Sequence, residues 1–419
     1  MRAERQPGRV PPRHRPFART AKTRLMKPPA RAICTVLPTS ALLLTLLLMV
    51  IPVALAQEPA PAQDNAIPTP PALSARGHLL LDHASGAVLA EQAADERLEP
   101  ASLTKIMTAY VVFRELADGK LKLDDMATIS EKAWRTGGSK MFIEVGKQVS
   151  IEDLLKGMIV QSGNDASVAL AEHIAGTEAT FAEMMNTQAA RLGMTNSNFV
   201  NTAGLPDPEH YTTPRDIAKV AAAVIREFPD YYAWYSLPDF TFNNIKQSNR
   251  NRLLRLDPSV DGVKTGHTAA AGYCLVSSAE RDGRRLLAVV MGTGSDRERF
   301  SDSQALLNYG FSFSETHRPF PGGEPVEDLR IWGGDATSLP VGPARDLYVT
   351  IPRGKYSALT AELEPAEDIS APVAWGDVIG EIIFRLDGEE IRREPAVALA
   401  DVGRGNFLRR GWDSVLRLF

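Results

Sequence analysis

Ser102 and Lys105 stand three residues apart at the head of a stretch whose apolar residues recur at helical spacing, so one helix face carries both side chains. A serine hydroxyl is a poor nucleophile until a neighbour takes its proton. Lysine can do so where burial or nearby cations bring its pKa towards neutrality. A helix start also presents free N–H groups where a developing oxyanion needs donors. About sixty residues on, Ser162-Gly-Asn164 sets a hydroxyl and an amide two positions apart between predicted helices. One could shuttle a proton and the other hold a substrate amide. Further along, Lys264-Thr-Gly266 opens an extended segment. Lys264 and Thr265 could bind a carboxylate by charge and hydrogen bond, and Gly266 would let a substrate backbone come close.

Each triplet alone is commonplace: an N-cap with a surface lysine, a Ser/Gly/Asn turn, a strand start. Together, in this order and in the settings of helix start, interhelix turn and strand, they resemble the motif set of penicillin-recognising serine enzymes, with S-G-N in place of S-D-N. The chemistry specified is acyl transfer through a serine ester.

The elements that must position these groups are legible in outline. His78–Asp82 and Ala87–Ala90 read as a β-hairpin across His83-Ala-Ser-Gly86. A helix is predicted from Ser102 to Leu116, then others over Ile151–Val160, Ala166–Ile174, Thr180–Leu192 and Pro214–Arg226. Strand character returns near Gly262. Tyr273–Ala279 and Arg284–Gly292 form a second hairpin across Arg281-Asp-Gly283, and Asp302–Tyr309 closes the domain as a helix. Strands at both ends with helices between describe an α/β (α+β) domain whose sheet joins distant pieces of chain. Short β-like runs at Leu329–Trp332, Leu347–Ile351 and Glu381–Leu386 then predict a small all-β domain.

The termini set the compartment. A basic segment, the apolar run Ala41–Val53 and the small-residue site Ala54-Leu-Ala56 form a secretory signal. The run is shorter than the ~20 apolar residues of a membrane span. Met26 offers an alternative start. Residues 1–56 hold ten Lys+Arg and one acid, leaving 37 against 50 in the rest, a net charge of −13. Such a body has no general attraction for nucleic acid. Cys34 lies in the signal, so Cys274 remains as a single thiol, read as a buried strand residue.

With its S-G-N triplet, the chain resembles the low-molecular-mass penicillin-binding D-alanyl-D-alanine carboxypeptidases over most of its length. The resemblance runs through Leu98-Glu-Pro-Ala-Ser-Leu-Thr-Lys105, Gly163-Asn-Asp-Ala-Ser167, Val260-Asp-Gly-Val-Lys-Thr-Gly-His267 and Ala271-Gly-Tyr273. It implies a β-lactamase/penicillin-binding-like catalytic domain with an antiparallel sheet and a helical subdomain. A small all-β domain and an amphipathic C-terminal helix would follow. The corresponding division is signal 1–56, linker 57–74, catalytic domain 75–316, β-rich domain 317–402 and anchor 403–419. The resemblance makes Ser102 the nucleophile, Lys105 the base and Ser162 a proton relay, with Asn164 positioning substrate. Lys264 and Thr265 would engage the terminal carboxylate, helped by Arg250. The N–H groups of Ser102 and His267 would form the oxyanion hole beside Gly266. Peptidoglycan stem peptides are the implied substrate and β-lactams the covalent inhibitors, with no metal or organic cofactor.

The tail repeats the periodicity argument. With Asn406 as cap, Phe407, Leu408, Trp412, Val415, Leu416, Leu418 and Phe419 fill one half of a helical wheel; Arg409, Arg410, Asp413, Ser414 and Arg417 fill most of the other. Such a helix suits the plane of an anionic bilayer. It predicts a peripheral protein on the periplasmic face of the cytoplasmic membrane, with Gly403-Arg-Gly405 as a hinge. Three other readings stand beside this one. A class A-like β-lactamase would need a deacylating carboxylate, for which Glu209 is the candidate. A D,D-endopeptidase would use the same residues on crosslinks. A silent wall-binding scaffold would not need the three motifs at all.

Overall fold

Leu79 and Leu80 pack into the core from β1 (Gly77–Asp82), which pairs antiparallel with β2 (Val88–Gln92) in the computed structural model, describing residues 67–417. The proposed signal and the first part of the linker lie outside the described residues. A 3-10 turn, Ala101–Leu103, leads into α1 (Thr104–Ala117), so the regular helix begins two residues after Ser102. A small ladder of β3 (Met126–Thr128) and β4 (Gln148–Ser150) flanks α2 (Glu131–Arg135). The helical subdomain follows as α3 (Ile151–Val160), α4 (Asn164–Ala175), α5 (Glu178–Arg191) and α6 (Pro214–Glu227). Three of these starts carry side-chain caps: Ser150 accepts from Asp153 N, Thr177 from Thr180 N, and Thr213 from Asp216 N ahead of Pro214. The short α7 (Pro229–Tyr232), the hairpin β5 (Asp239–Phe242) and β6 (Ile245–Ser248), and α8 (Leu253–Leu256) return the chain to the sheet. There β7 (Val260–Thr268), β8 (Gly272–Arg281) and β9 (Arg284–Thr293) precede α9 (Asp296–Phe313).

The sheet order is β2-β1-β9-β8-β7, so the first hairpin joins strands some two hundred residues later. Its middle strand explains the architecture. Leu286 to Met291 are all 0 % exposed. Leu286, Ala288 and Val290 pack with Phe300, Leu306 and Leu307 of α9, whereas Leu287, Val289 and Met291 face the cluster built by α1 and α3–α6. A strand covered on both faces reads as one continuous apolar run, which this segment does. The β8–β9 turn needs Asp282 and Gly283 at φ 52° and 75°, the Asp-Gly pattern of a tight hairpin.

Helix α9 is longer than its predicted core of Asp302–Tyr309. Ser295 caps it by accepting from Glu298 N, and the Glu298 carboxylate accepts from Gly294 N at 2.8 Å. Its first turn, Asp296-Arg-Glu298, is polar and hides the periodicity.

The second domain contains β10 (Ser314–Phe320), β11 (Glu327–Arg330), β12 (Ser338–Gly342), β13 (Leu347–Pro352), β14 (Leu359–Pro365), β15 (Val378–Leu386) and β16 (Glu389–Ala398). Strands β10 and β13 pair; the others form a sheet ordered β11-β12-β16-β15-β14. The junction with the first domain is polar. Asp82 accepts from Arg284 Nε at 2.9 Å and from Thr316 Oγ1 at 2.5 Å, and Arg392 donates to Ser85 O at 2.7 Å.

Two expectations about loose segments are corrected. The linker read over 57–74 is pinned at its end, because Ser74 N and Oγ and Ala75 N all donate to Asp302 Oδ2. The hinge read at Gly403-Arg-Gly405 is part of the β domain: Asp335 N donates to Gly403 O and Gly405 N to Gly333 O, both at 2.9 Å. The final helix α10 (Phe407–Leu416) starts where Asn406 accepts from Arg409 N. It docks through polar groups. Asp413 accepts from Gly333 N at 2.7 Å, Arg409 donates to Asp335 O at 2.8 Å, and Arg417 pairs with Asp368. Phe407, Leu408 and Trp412, at 74, 68 and 66 % exposed, point away from the protein. Leu418 and Phe419 lie outside the described residues.

Candidate active site

Ala101 adopts φ 46°, a left-handed conformation that costs a residue with a Cβ and redirects the chain just before Ser102. Neighbours hold it there. Thr104 Oγ1 donates to Ala101 O at 2.9 Å and meets His210 Nε2 at 2.8 Å. From the other side comes Asn201–Leu205, whose Asn201 Oδ1 accepts from the backbone N–H of Ala203, Gly204 and Leu205. Gly204 (φ 78°) sits so close that any Cβ would overlap Ala101 O.

Lys105 is 1 % exposed. Its Nζ lies 3.0 Å from Ser102 Oγ, 2.7 Å from Asn164 Oδ1 and 2.7 Å from Ala203 O. Its pKa is brought down to about 7, by burial first and then by the Arg250 charge, with Asp165 working in the opposite sense. As a free amine it donates to Asn164 Oδ1 and Ala203 O, which leaves its lone pair for the Ser102 proton. A hydroxyl and an amine able to take its proton are thus in contact, and two fixed acceptors orient the amine.

Asn164 begins α4, and its Nδ2 donates to Gly137 O at 2.7 Å. The next residue explains why the segment opposite holds its shape. Asp165 is fully buried, with Oδ1 accepting from Met141 N at 3.0 Å and Oδ2 from Phe142 N at 3.0 Å and Ile143 N at 3.4 Å. Asp165→Ala strands these N–H groups. The expected cost is about 2–4 kcal/mol in urea unfolding, with faster amide exchange confined first to residues 137–143. A change below about 0.5 kcal/mol would refute this account of the loop.

Ser162 is 2 % exposed at φ 65° and faces the cavity. Arg250 is fixed at the end of α3, its Nε donating to Gln161 O at 3.0 Å. On β7, a Cβ at Gly266 would stand 3.0 Å from Pro100 O and 3.3 Å from Ser102 N, so glycine lets this strand abut the nucleophile turn. His267 lies against Tyr273 with ring centroids 4.0 Å apart.

Ser102, Ser162, Arg250, Thr265, Gly266 and His267 line one cavity of about 290 Å³, together with Ser139, Tyr273, Asp296 and Arg299. Lys105 and Asn164 reach it through the contacts above. Lys264 stands behind the wall, 2 % exposed, with Nζ donating to Thr265 O at 3.0 Å. Its pKa falls well below the usual lysine value, through burial first and then the charges of Lys105, Arg250 and Arg299. The cations among the wall residues are therefore Arg250 and Arg299. Arg299 carried no motif in the sequence; it is 8 % exposed, donates to Gly266 O at 3.0 Å and pairs with Asp296. Asn201–Leu205 was equally unmarked, and its Asn-x-x-Gly turn is too common to signal a lysine acceptor. Cys274 is buried opposite Gly266, and burial raises its thiol to about 11, so it has no nucleophilic character at neutral pH. Glu209 is exposed and is not among the residues lining the cavity.

A serine beside a buried, neutral-range lysine, against a strand edge and two arginines, is the arrangement of a serine acyl-transfer site. Comparison with known proteins is specific. Residues 64–295 match the D-alanyl-D-alanine carboxypeptidase family model, and residues 315–404 match the C-terminal domain of penicillin-binding protein 5. The chain is 45 % identical to D-alanyl-D-alanine carboxypeptidase DacC of Escherichia coli, over 83 % of this chain and 89 % of the relative. It resembles the crystal structure of penicillin binding protein 5 from Haemophilus influenzae with TM-score 0.78 and 44 % identity, over 80 % of this chain and all of that one. Penicillin-binding protein D2 of Listeria monocytogenes in its ampicillin-bound form gives TM-score 0.53 and 32 % identity, over 57 % of this chain and 98 % of the other. The chain belongs to the D-alanyl-D-alanine carboxypeptidase family.

Proposed function

We propose that this protein is an exported, penicillin-binding serine carboxypeptidase that removes the terminal D-alanine from peptidoglycan stem peptides. The observation that carries the reading is Lys105 Nζ at 3.0 Å from Ser102 Oγ, buried and held by two acceptors. Lys105 takes the Ser102 proton as Oγ attacks the carbonyl of the penultimate D-alanine. The tetrahedral oxyanion is stabilised by the N–H groups of Ser102 and His267. The C–N bond then breaks, the last D-alanine leaves with a proton relayed by Ser162, and water hydrolyses the ester. Asn164 orients the substrate amide. Thr265, Arg250 and Arg299 take the terminal carboxylate, and Lys264 holds the Thr265 backbone from behind. A β-lactam leaves its amine tethered, so its ester on Ser102 persists.

The test is D-alanine release from a pentapeptide ending in D-Ala-D-Ala. Absence of release, with penicillin still acylating Ser102, would move the activity to crosslinked peptides. Glu209 lies outside the cavity, which favours slow deacylation over β-lactamase turnover.

The functional division is a signal over 1–56, a linker ending at Ser74, a catalytic domain to Phe313, a β domain from Ser314 to Gly405 and a membrane segment from Asn406. On this reading the protein is held at the periplasmic face of the cytoplasmic membrane by α10. Among the described residues no helix is long and apolar enough to cross a membrane. What supports surface attachment is the outward apolar side of α10, since a helix packing for stability alone would bury it. Full-length protein should bind anionic vesicles. Leu408→Glu with Trp412→Glu should weaken that binding at least tenfold, each lost side chain being worth about 1.5–3 kcal/mol, while release from soluble peptide stays unchanged. Equal vesicle binding by both forms would count against the anchor.

A further inference from the structure

A second hollow of about 510 Å³ opens beside the catalytic cavity, and one stretch of chain walls both. Gly137 accepts from Asn164 Nδ2 and Ser139 lines the catalytic cavity, whereas Lys140, Phe142 and Glu144 line the hollow. Trp134 and Arg135 close it from α2, and Asn243 and Ile245 from the β5–β6 hairpin. Trp134, Phe142 and Ile245 are 43, 50 and 40 % exposed. Phe142 is unusual in a second respect. Its φ of 69° is a costly conformation, its N–H is fixed by buried Asp165, and the result is a ring in solvent. Arg135 pairs with Glu131 at the rim, and Lys140 Nζ donates to Trp134 O.

We infer that this hollow is a docking subsite for the sugar-bearing, carboxylate-rich remainder of the stem peptide, on the acyl side of the scissile bond. The inference rests on the carboxypeptidase reading above. Its direction follows from Asn164. The residue that orients the substrate amide touches Gly137, so a chain leaving Ser102 past Asn164 and Ser139 meets Lys140 and Phe142 next. Exposed aromatic faces suit the C–H faces of a saccharide, and Arg135 and Lys140 suit its acidic peptide. Binding remote from the reacting bond lets a polymeric substrate be held without changing the chemistry on a short one.

The experiment compares D-alanine release from a disaccharide–pentapeptide and from an acylated tripeptide ending in D-Ala-D-Ala. Full-length protein and the double variant Trp134→Ala, Arg135→Ala are assayed in parallel. The expected result is a loss of about tenfold in kcat/KM on the disaccharide substrate. The tripeptide rate and penicillin acylation should stay within about twofold. Equal loss on both substrates, or loss on neither, overturns the subsite. If the unmodified protein releases D-alanine from neither, the carboxypeptidase reading fails instead. The subsite is then decided by calorimetric binding of a disaccharide–tetrapeptide: about tenfold weaker binding by the double variant upholds it, and equal binding overturns it.

Discussion

Ser102→Ala will leave no covalent penicillin adduct by mass spectrometry and will slow D-alanine release by roughly 10⁴-fold or more. The size of the effect follows from the site's construction. Among the described residues near the cavity, no second nucleophile is poised: Cys274 is buried with a raised pKa, and Ser162 Oγ has no base within hydrogen-bond reach. The substitution removes one atom without disturbing what holds the turn. Thr104 still bonds Ala101 O, and Lys105 keeps Asn164 and Ala203. Stability should therefore change by less than about 1 kcal/mol, separating loss of chemistry from loss of fold. Undiminished labelling would mean that another residue carries the ester.

The second large effect concerns the base. Because Lys105 titrates at about 7, penicillin acylation should climb nearly tenfold per pH unit below that value and level off above about pH 8. The sign is fixed by chemistry: the protonated amine has no lone pair for the Ser102 proton. Lys105→Met should cost roughly 10³-fold in acylation and abolish the rise. A pH profile of wild-type acylation that is flat from 5 to 9 would remove Lys105 from the role of base. The same shift has a stability consequence. Its pKa lies near 7 folded and near 10.5 unfolded, so between those values the unfolded chain binds the extra proton. The contribution of this one group to stability therefore rises with pH across that window, and below it the full cost of charging a buried amine is present.

What the sequence disclosed depended on how local the signal was. The motif triplets sit on the turn, helix start and strand that their neighbours predicted, and the Asp-Gly hairpin and the apolar run Leu286–Met291 of β9 were readable because each is a property of contiguous residues. Ser102 itself lies in a 3-10 turn after the left-handed Ala101, which is held in part by the distant Asn201–Leu205 segment that local sequence does not reveal. Arg299 was hidden for a similar reason: its place comes from a hydrogen bond to Gly266 O, thirty-three residues away in the chain. The end of the linker and the supposed hinge were misread because Pro-, Ala- and Gly-rich composition describes an isolated chain. Asp302 and the backbone of Gly333 and Asp335 supply partners that composition does not reveal.

The fit of Gly204 over Ala101, with Gly266 pressed against the same turn, makes the reactive centre a meeting point of segments drawn from across the catalytic domain. Sheet formation imposes the same demand, since β1 must find β9. Contacts so distant along the chain form late and slowly, after the local helices are in place. Penicillin labelling should therefore be acquired at the end of folding, with a partly assembled chain left unlabelled. Covalent capture by the antibiotic would then count finished molecules.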